Sequence, residues 1–84
     1  MYHYEWSPPA RQQIKKLSPD IQEFIIKKLD FFLTSPNPLF LAKRLKHFQS
    51  GQYRFRIGDY RVIFDVEENT IVILALGNRR DIYQ

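Results

Sequence analysis

The sequence predicts an α+β domain with the element order β-α-α-β-β-β, in which a helical hairpin packs on one face of a mainly antiparallel sheet. Three observations carry this prediction. Residues 51–64 form two alternating apolar and polar runs joined by Gly58-Asp59, which is typical of a β-hairpin with a tight turn. Two Ser-Pro pairs each precede a stretch of helical periodicity. Residues 71–76 form an apolar run of the kind that occupies a central strand.

The N-terminal part is expected to contain a short strand and two helices. Aromatic residues alternate with polar ones over residues 2–6, which indicates the first strand. Ser7-Pro8 and Ser18-Pro19 then supply an N-cap and a first helical residue for each helix. Pro36-Asn37-Pro38 ends the second helix, because proline lacks the backbone donor. The apolar positions are Ala10, Ile14 and Leu17 in the first helix, and Ile21, Phe24, Ile25, Leu29, Phe32 and Leu33 in the second.

Residues 39–50 are expected to be a connection that contributes apolar anchors to the core and basic residues to the surface. The expected anchors are Leu39, Phe40, Leu41, Leu45 and Phe48. The basic residues interleaved with them are Lys43, Arg44, Lys46 and His47.

The two turns at Gly58-Asp59 and Glu68-Asn69 fix a register for the three C-terminal strands. The first turn predicts the pairs Ile57–Tyr60, Phe55–Val62 and Tyr53–Phe64. The second predicts Val66–Ile71, Phe64–Ile73 and Val62–Ala75. The face covered by the helices is expected to contain Tyr53, Phe55, Ile57, Val62, Phe64, Val66, Ile71 and Ile73. The opposite face is expected to be half basic and half apolar, with Arg54, Arg56, Arg61, Ile63, Val72, Leu74 and Leu76.

The predicted register sets Arg56 directly opposite Arg61, and both side chains are expected to point outward. Like charges in directly opposed positions destabilise a hairpin. A hairpin that accepts this cost is expected to bind a polyanion on that face. The alternative is a solvated sheet face with scattered arginines.

Composition narrows the possible function classes. The 84 residues are expected to form one domain, residues 1–84, with a net charge of +4, which suits a nucleic acid or an acidic protein partner. The chain has no cysteine, which excludes disulfides and thiolate metal sites. We expect no metal, no cofactor, no membrane span and no signal peptide, and therefore a cytoplasmic protein.

Two motifs resemble the RelE/ParE superfamily of toxins from toxin–antitoxin modules, and more closely its RelE branch. The first is Gly51-x-Tyr-Arg-x-Arg-x-Gly-Asp-Tyr-Arg-Val-Ile-Phe64, and the second is Gly77-x-Arg-Arg-Asp-x-Tyr83. The element order and length are similar as well, so the resemblance covers essentially the whole chain.

The resemblance implies a ribosome-dependent endoribonuclease that cuts mRNA in the A site and is held inactive by a cognate antitoxin, through an acidic or amphipathic segment that wraps the toxin. A ribose 2′-oxygen would attack the adjacent phosphate. The positions that match the family's catalytic residues are Arg54, Arg56, Arg61, Arg79 and Tyr83. We expect further RNA contacts from Lys43, Arg44, Lys46 and Arg80.

The residue types fit these roles, but the general base stays unassigned. Guanidinium groups bind phosphate oxygens bidentately, so we expect Arg61 and Arg79 at the scissile phosphate and Tyr83 on the substrate nucleotide. Some relatives carry lysine where this chain has Arg54 and Arg56, and arginine cannot give up its proton in a protein. The remaining candidates for proton transfer are His3, His47 and a group of the ribosome.

Two other functions fit the same sequence. A ParE-like inhibitor of DNA gyrase would use the fold for protein contacts alone. A non-catalytic basic module would bind RNA or the ribosome with an affinity that falls steeply with salt. The set Arg56, Arg61, Arg79 and Tyr83 favours the nuclease over the gyrase inhibitor. Only a test of RNA cleavage separates the nuclease from the non-catalytic module.

Overall fold

The computed structural model describes residues 2–46 and 51–82 and confirms the predicted α+β architecture. Within these residues the sheet has five strands in the order β1-β5-β4-β3-β2, with β1 parallel to β5 and the other pairs antiparallel. Two helices pack on one face of it. The elements are β1 (His3–Trp6), α1 (Pro8–Lys15), α2 (Pro19–Thr34), a 3₁₀ helix (Pro38–Leu41), β2 (Ala42–Arg44), β3 (Tyr53–Ile57), β4 (Tyr60–Glu67) and β5 (Thr70–Asn78).

Both helices begin at the predicted Ser-Pro pairs. The Ser7 hydroxyl accepts a hydrogen bond from the Ala10 N–H at 3.3 Å and donates one to the Leu74 carbonyl at 3.1 Å. The same side chain therefore caps α1 and attaches its first turn to β5. Ser18 has the extended backbone of an N-cap, but its side chain makes no capping bond.

The predicted hairpin register is confirmed in full. Tyr53 pairs with Phe64, Phe55 with Val62, and Ile57 with Tyr60. Gly58 takes a φ of +59° in the turn, as the first central residue of a II′ turn requires. Phe55 is fully buried, and its ring lies 4.4 Å from that of Phe64 and 4.7 Å from that of Phe32 on α2. This aromatic stack joins α2 to the centre of the sheet.

The predicted register of β5 is wrong beyond Ile73. Val66 pairs with Ile71 and Phe64 with Ile73, as expected, but a register shift at Ile63/Phe64 then pairs Val62 with Leu76 instead of Ala75. The extra residue in β5 is Leu74. Leu76 consequently joins the helix-covered core, with an exposure of 2%, because a bulge reverses the alternation beyond it.

The connection after α2 contains a strand that the sequence did not predict. Ala42–Arg44 pairs with β3 as the edge strand β2. Phe40 and Leu41 were expected to be core anchors, but they are 85% and 44% exposed. Of the predicted anchors in the described residues, Leu39 packs against the core, whereas the half-buried Leu45 is not part of it. Pro38 of the 3₁₀ helix is buried as well. Phe24 on α2 is 42% exposed, and the predicted anchor Phe48 lies outside the described residues.

Gly51 covers part of the sheet face opposite the helices. An added Cβ at Gly51 would lie 2.6 Å from Ile63 Cγ2 and 3.1 Å from Leu74 Cδ1, and the φ of Gly51 is +153°. Ile63 is only 1% exposed as a result of this cover. The apolar half of this face is therefore only partly as expected. Ile63 is covered, and the bulge turns Leu76 to the helix side, whereas Val72 and Leu74 stay half-buried.

Candidate functional site

The sheet face opposite the helices carries a basic surface, which we define as Lys43, Arg54, Arg56 and Arg61. Phe55 packs against α2, so the alternation of β3 places Arg54 and Arg56 on the far side. Lys43 of β2 lies directly opposite Arg54, and Arg56 lies directly opposite Arg61 of β4. Two like-charged pairs on neighbouring strands oppose folding, and they make this region of the face attractive to anions.

The carboxylates on this sheet face lie toward its other end. Asp65 and Glu67 belong to the same side of β4 as Arg61, two and three alternations along the strand. The Asp65 carboxylate accepts a hydrogen bond from the Gln52 N–H at 2.8 Å. The strand cations of the basic surface therefore lie nearer the β3–β4 turn than Asp65 and Glu67 do, and the turn itself carries Asp59.

Arg61 is buried, which overturns the prediction that its side chain points into solvent. It is 8% exposed, and its Nη1 donates hydrogen bonds to the carbonyls of Gly58 at 2.9 Å and Tyr60 at 3.0 Å. A guanidinium offers five N–H donors in a rigid plane, so it bridges two carbonyls of one turn. Arg61 thus braces the β3–β4 turn in addition to contributing charge.

The same turn also holds the segment that carries Arg79. The Arg79 N–H donates to the Asp59 carbonyl at 2.8 Å. Gly77, two residues earlier on β5, lies directly opposite Arg61. The turn that Arg61 braces therefore also holds the backbone of Arg79, whose side chain is exposed.

The remaining expected residues divide between this region and the rest of the molecule. Arg80 is exposed next to Arg79, and its N–H donates to Asn78 Oδ1 at 3.0 Å. Arg44 pairs with Tyr53, so its position in the register belongs to the helix side of the sheet. Lys46 lies beyond β2. Tyr83 and His47 lie outside the described residues.

His3 is separated from the basic surface by the width of the sheet. It lies on β1, and β5 and β4 stand between β1 and β3. Neighbouring strands lie about 4.8 Å apart, so three strand spacings separate His3 from Arg56 by about 14 Å across the sheet. The register also aligns the two residues with opposite ends of β4. A direct proton transfer by His3 at this surface is therefore excluded by the geometry.

A groove next to Arg79 includes residues that the sequence did not single out. It has a volume of about 990 Å³, and one wall comes from Gln13 of α1 and from Lys16, the C-cap residue of α1. Tyr60, Asn78 and Arg79 contribute to the opposite wall. Residues from α1, β4 and the end of the chain meet only in the folded protein, so no local sequence pattern could have marked them.

The described residues contain no cluster of three or more potential metal ligands, and the two titratable groups with shifted pKa values lie on β1 and α2. Burial of the Tyr4 hydroxyl and its hydrogen bond to Asp30 raise the pKa of Tyr4, and the Lys27 ammonium lowers the pKa of Glu23. Both shifts occur on β1 and α2, away from the basic surface.

No helix in the described part of the chain is both long and apolar enough to cross a membrane.

Comparison with known proteins identifies the family. Residues 4–83 match the family model described as the ParE toxin of the type II toxin–antitoxin system, parDE. Toxin RelG of Mycobacterium tuberculosis is 33% identical over 85 residues, which cover 99% of this chain and 97% of that protein.

Solved structures show the same fold. A chain of the RelBE2 toxin–antitoxin complex from Mycobacterium tuberculosis matches with a TM-score of 0.76 at 29% identity, over 93% of this chain and 98% of that one. A chain of the intact E. coli RelBE complex matches with a TM-score of 0.72 at 21% identity, over 93% and 96%. With its family match spanning nearly the whole sequence, this chain belongs to the ParE toxin family of type II toxin–antitoxin systems, within the RelE/ParE superfamily.

Proposed function

We propose that this toxin is a ribosome-dependent endoribonuclease that cleaves mRNA in the A site and thereby inhibits translation. The observation that carries the proposal is the basic surface with Arg79 at its end. Two directly opposed cationic pairs, Lys43–Arg54 and Arg56–Arg61, cost stability in the isolated protein. A bound phosphodiester backbone offsets that cost.

The proposed reaction is an internal transfer at one phosphate. The ribose 2′-hydroxyl loses its proton to a base, its oxygen forms a bond to phosphorus, and the bond from phosphorus to the 5′-oxygen breaks. The leaving oxygen takes up a proton, so the products are a 2′,3′-cyclic phosphate and a 5′-hydroxyl. Negative charge grows on the phosphate oxygens during this step, and fixed cations aimed at it can each contribute a few kcal/mol in a dry site.

The exposed guanidinium groups are the best candidates to contact this phosphate. Arg56 and Arg79 are both exposed at the turn end of the sheet, and we assign them to the scissile phosphate. Arg54 and Lys43 lie further along the same face and would hold the neighbouring backbone. Arg61 is assigned a positioning role, because its Nη1 is bound to the turn carbonyls. Tyr83 is proposed to contact the substrate nucleotide.

The ribosome is proposed to supply substrate geometry and proton transfer. Holding a reactant in a geometry ready for attack removes a large part of the activation barrier. The ribosome already holds the bound mRNA in place. Arginines do not act as bases at neutral pH, and His3 is too distant. A toxin of this kind acts where mRNA is translated, which places it in the cytoplasm.

A model mRNA on purified ribosomes tests the reaction. We expect wild-type protein to cut within the A-site codon only when ribosomes are present, and to leave a 2′,3′-cyclic phosphate. A 2′-O-methyl group on the nucleotide before the scissile phosphate should abolish the cut, because it removes the nucleophile. Cleavage of the methylated RNA would refute the proposed chemistry. Binding without any cleavage would instead support a non-catalytic module.

Inhibition of DNA gyrase, the function expected of a ParE-like toxin, is the second candidate. It is considered because the description of the matching family model names the ParE toxin. Such a toxin would act through protein contacts and leave mRNA intact. A supercoiling assay with purified gyrase separates the two functions. Inhibition that survives Arg56→Ala would assign the toxin to gyrase, since this function does not need the phosphate-binding surface.

We further propose that an antitoxin holds the toxin inactive through an acidic, amphipathic segment. Matching chains occur in toxin–antitoxin complexes. Phe24 and Phe31 lie two helical turns apart on one flank of α2, and Phe31 is 63% exposed. Lys28 lies on the same flank, so an apolar segment with acidic residues would complement this surface.

Calorimetric titration with the protein encoded beside the toxin gene tests the docking surface. Phe31→Ser should weaken binding, whereas Gln12→Ser, an exposed change on α1, should not. If the two variants bind the antitoxin with equal affinity, the antitoxin binds another surface of the toxin. If the toxin instead self-associates, and Phe31→Ser abolishes this self-association, then this flank of α2 binds a second copy of the toxin.

A further inference from the structure

The groove beside Arg79 lies on the helix side of the sheet, separate from the basic surface. Its lining includes Leu76, which the β5 bulge turns toward the helices. Gln13 on α1 fixes the distance across it, because its Oε1 accepts a hydrogen bond from the Leu76 N–H at 2.8 Å. The groove is thus held between α1 and β5 by a defined contact.

The chemistry of the groove suits a nucleotide. Lys16 and Arg79 bring positive charge to its two walls, and the half-buried Tyr60 contributes an aromatic ring. Single-stranded nucleic acid is commonly bound by an aromatic ring that stacks on a base and by cations that contact the backbone. The volume of about 990 Å³ is large enough to hold one nucleotide.

Two carboxylates decide which part of the nucleotide enters. Asp59 and Asp81 also line the groove. They would repel a second phosphate, whereas a carboxylate accepts hydrogen bonds from the N–H groups of a base. The arrangement therefore favours a base inside the groove and a single phosphate at the cationic rim.

Arg79 connects the groove to the proposed cleavage site. It lines the groove, and its backbone is held by the β3–β4 turn that Arg61 braces. A strand whose scissile phosphate contacts Arg79 would have its next nucleotide at the groove entrance.

We propose that this groove is a nucleotide subsite for single-stranded RNA, in which a base stacks on Tyr60 and the adjacent phosphate contacts Lys16. The inference rests on the proposed function, since it identifies a second part of the surface that would bind the substrate. It adds the C-terminal end of α1, through its C-cap residue Lys16, to the RNA-binding elements.

An NMR titration with a 2′-O-methyl trinucleotide tests the subsite with a probe that cannot be cleaved. Backbone amides of residues 13, 16 and 60 should shift in the wild-type protein. Lys16→Ala should reduce the salt dependence of binding by about 0.7 in the slope of log K against log salt, the value of one lost phosphate contact to a single strand. Lys15→Ala is the matched control, because Lys15 is an exposed neighbour that does not line the groove.

A second variant examines the stacking partner. Tyr60→Leu should weaken trinucleotide binding roughly 5- to 150-fold, the range of one base–aromatic stack. Its fold is checked by the core methyl signals of the same spectra. If Tyr60→Leu does not fold, the comparison of Lys16→Ala with Lys15→Ala decides alone.

The outcomes separate this inference from the proposed function. Equal slopes for the two lysine variants, shifts confined to residues 54 and 56, or no binding at millimolar trinucleotide would each overturn the subsite. Failure of wild-type protein to cut mRNA on ribosomes would overturn the proposed function instead, even if the trinucleotide occupies the groove.

Discussion

Replacing Arg61 by alanine should destabilise the protein as well as impair its activity. The guanidinium is 8% exposed and donates two hydrogen bonds to the carbonyls of Gly58 and Tyr60. A hydrogen bond with a charged partner contributes about 1.5–3 kcal/mol. Water replaces part of this at a turn, and relief of the repulsion from Arg56 returns up to about 1 kcal/mol. We therefore expect a net loss of about 2 kcal/mol in the free energy of unfolding.

Thermal unfolding followed by circular dichroism measures this loss. For a protein of this size each kcal/mol lowers Tm by about 4–8 °C, so Arg61→Ala should unfold about 8–16 °C below wild type. Arg56→Ala is the matched control, because Arg56 is exposed and lies directly opposite Arg61. It should unfold at or slightly above the wild-type temperature. Equal Tm values for wild type and Arg61→Ala would refute the bracing role of Arg61.

Three further substitutions test other contacts, each by chemical denaturation against wild type. Gly51→Ala should lower the free energy of unfolding by about 1–3 kcal/mol, because the new Cβ would lie 2.6 Å from Ile63 Cγ2. An unchanged free energy would show that Gly51 does not pack against Ile63. Gln13→Ala should cost about 1–3 kcal/mol, since it leaves the N–H of the 2%-exposed Leu76 without its partner; an unchanged midpoint would contradict this. Phe40→Ser should stay within about 0.5 kcal/mol of wild type, because Phe40 is 85% exposed, and a large loss would return it to the core.

The hairpin could be predicted residue by residue because its alternation and its turn agree. Only one register places Phe55 and Val62 on the same face with Gly58 in the turn, and the structure has that register. In residues 71–76 every position is apolar, so the alternation carries no information there. The bulge at Leu74 was invisible for this reason, and with it the burial of Leu76.

Features that depend on contacts between distant segments could not be predicted. The buried side chain of Arg61 is held by hydrogen bonds to two backbone carbonyls of its own turn. The positions of backbone carbonyls cannot be deduced from the types of the residues. β2 has three residues, two of them cationic, and its strand character comes from pairing with β3. The groove required α1 to lie beside the end of β5, which only the fold establishes.

The candidate site was predicted in composition but not in geometry. The sequence motifs predicted that Arg54, Arg56, Arg61 and Arg79 belong to one site. The structure places the first three on the sheet face opposite the helices, and it holds the backbone of Arg79 at the β3–β4 turn. Their expected roles in catalysis stay predictions. Arg61 contributes positive charge and also donates hydrogen bonds that stabilise the turn. A loss of activity in Arg61→Ala could therefore result from unfolding, so a substitution of Arg56 is the better test of a role in cleavage.

Mapping of mRNA 5′ ends in a translating extract tests the central claim most directly. Wild-type protein and Arg56→Ala are compared at equal concentrations, after circular dichroism has shown that both are folded. We predict new 5′ ends within A-site codons with wild-type protein, which disappear when ribosomes are removed and fall at least tenfold with Arg56→Ala. Intact mRNA in an extract whose translation has stopped, or equal cleavage by the two proteins, would contradict the assignment of the basic surface to mRNA cleavage.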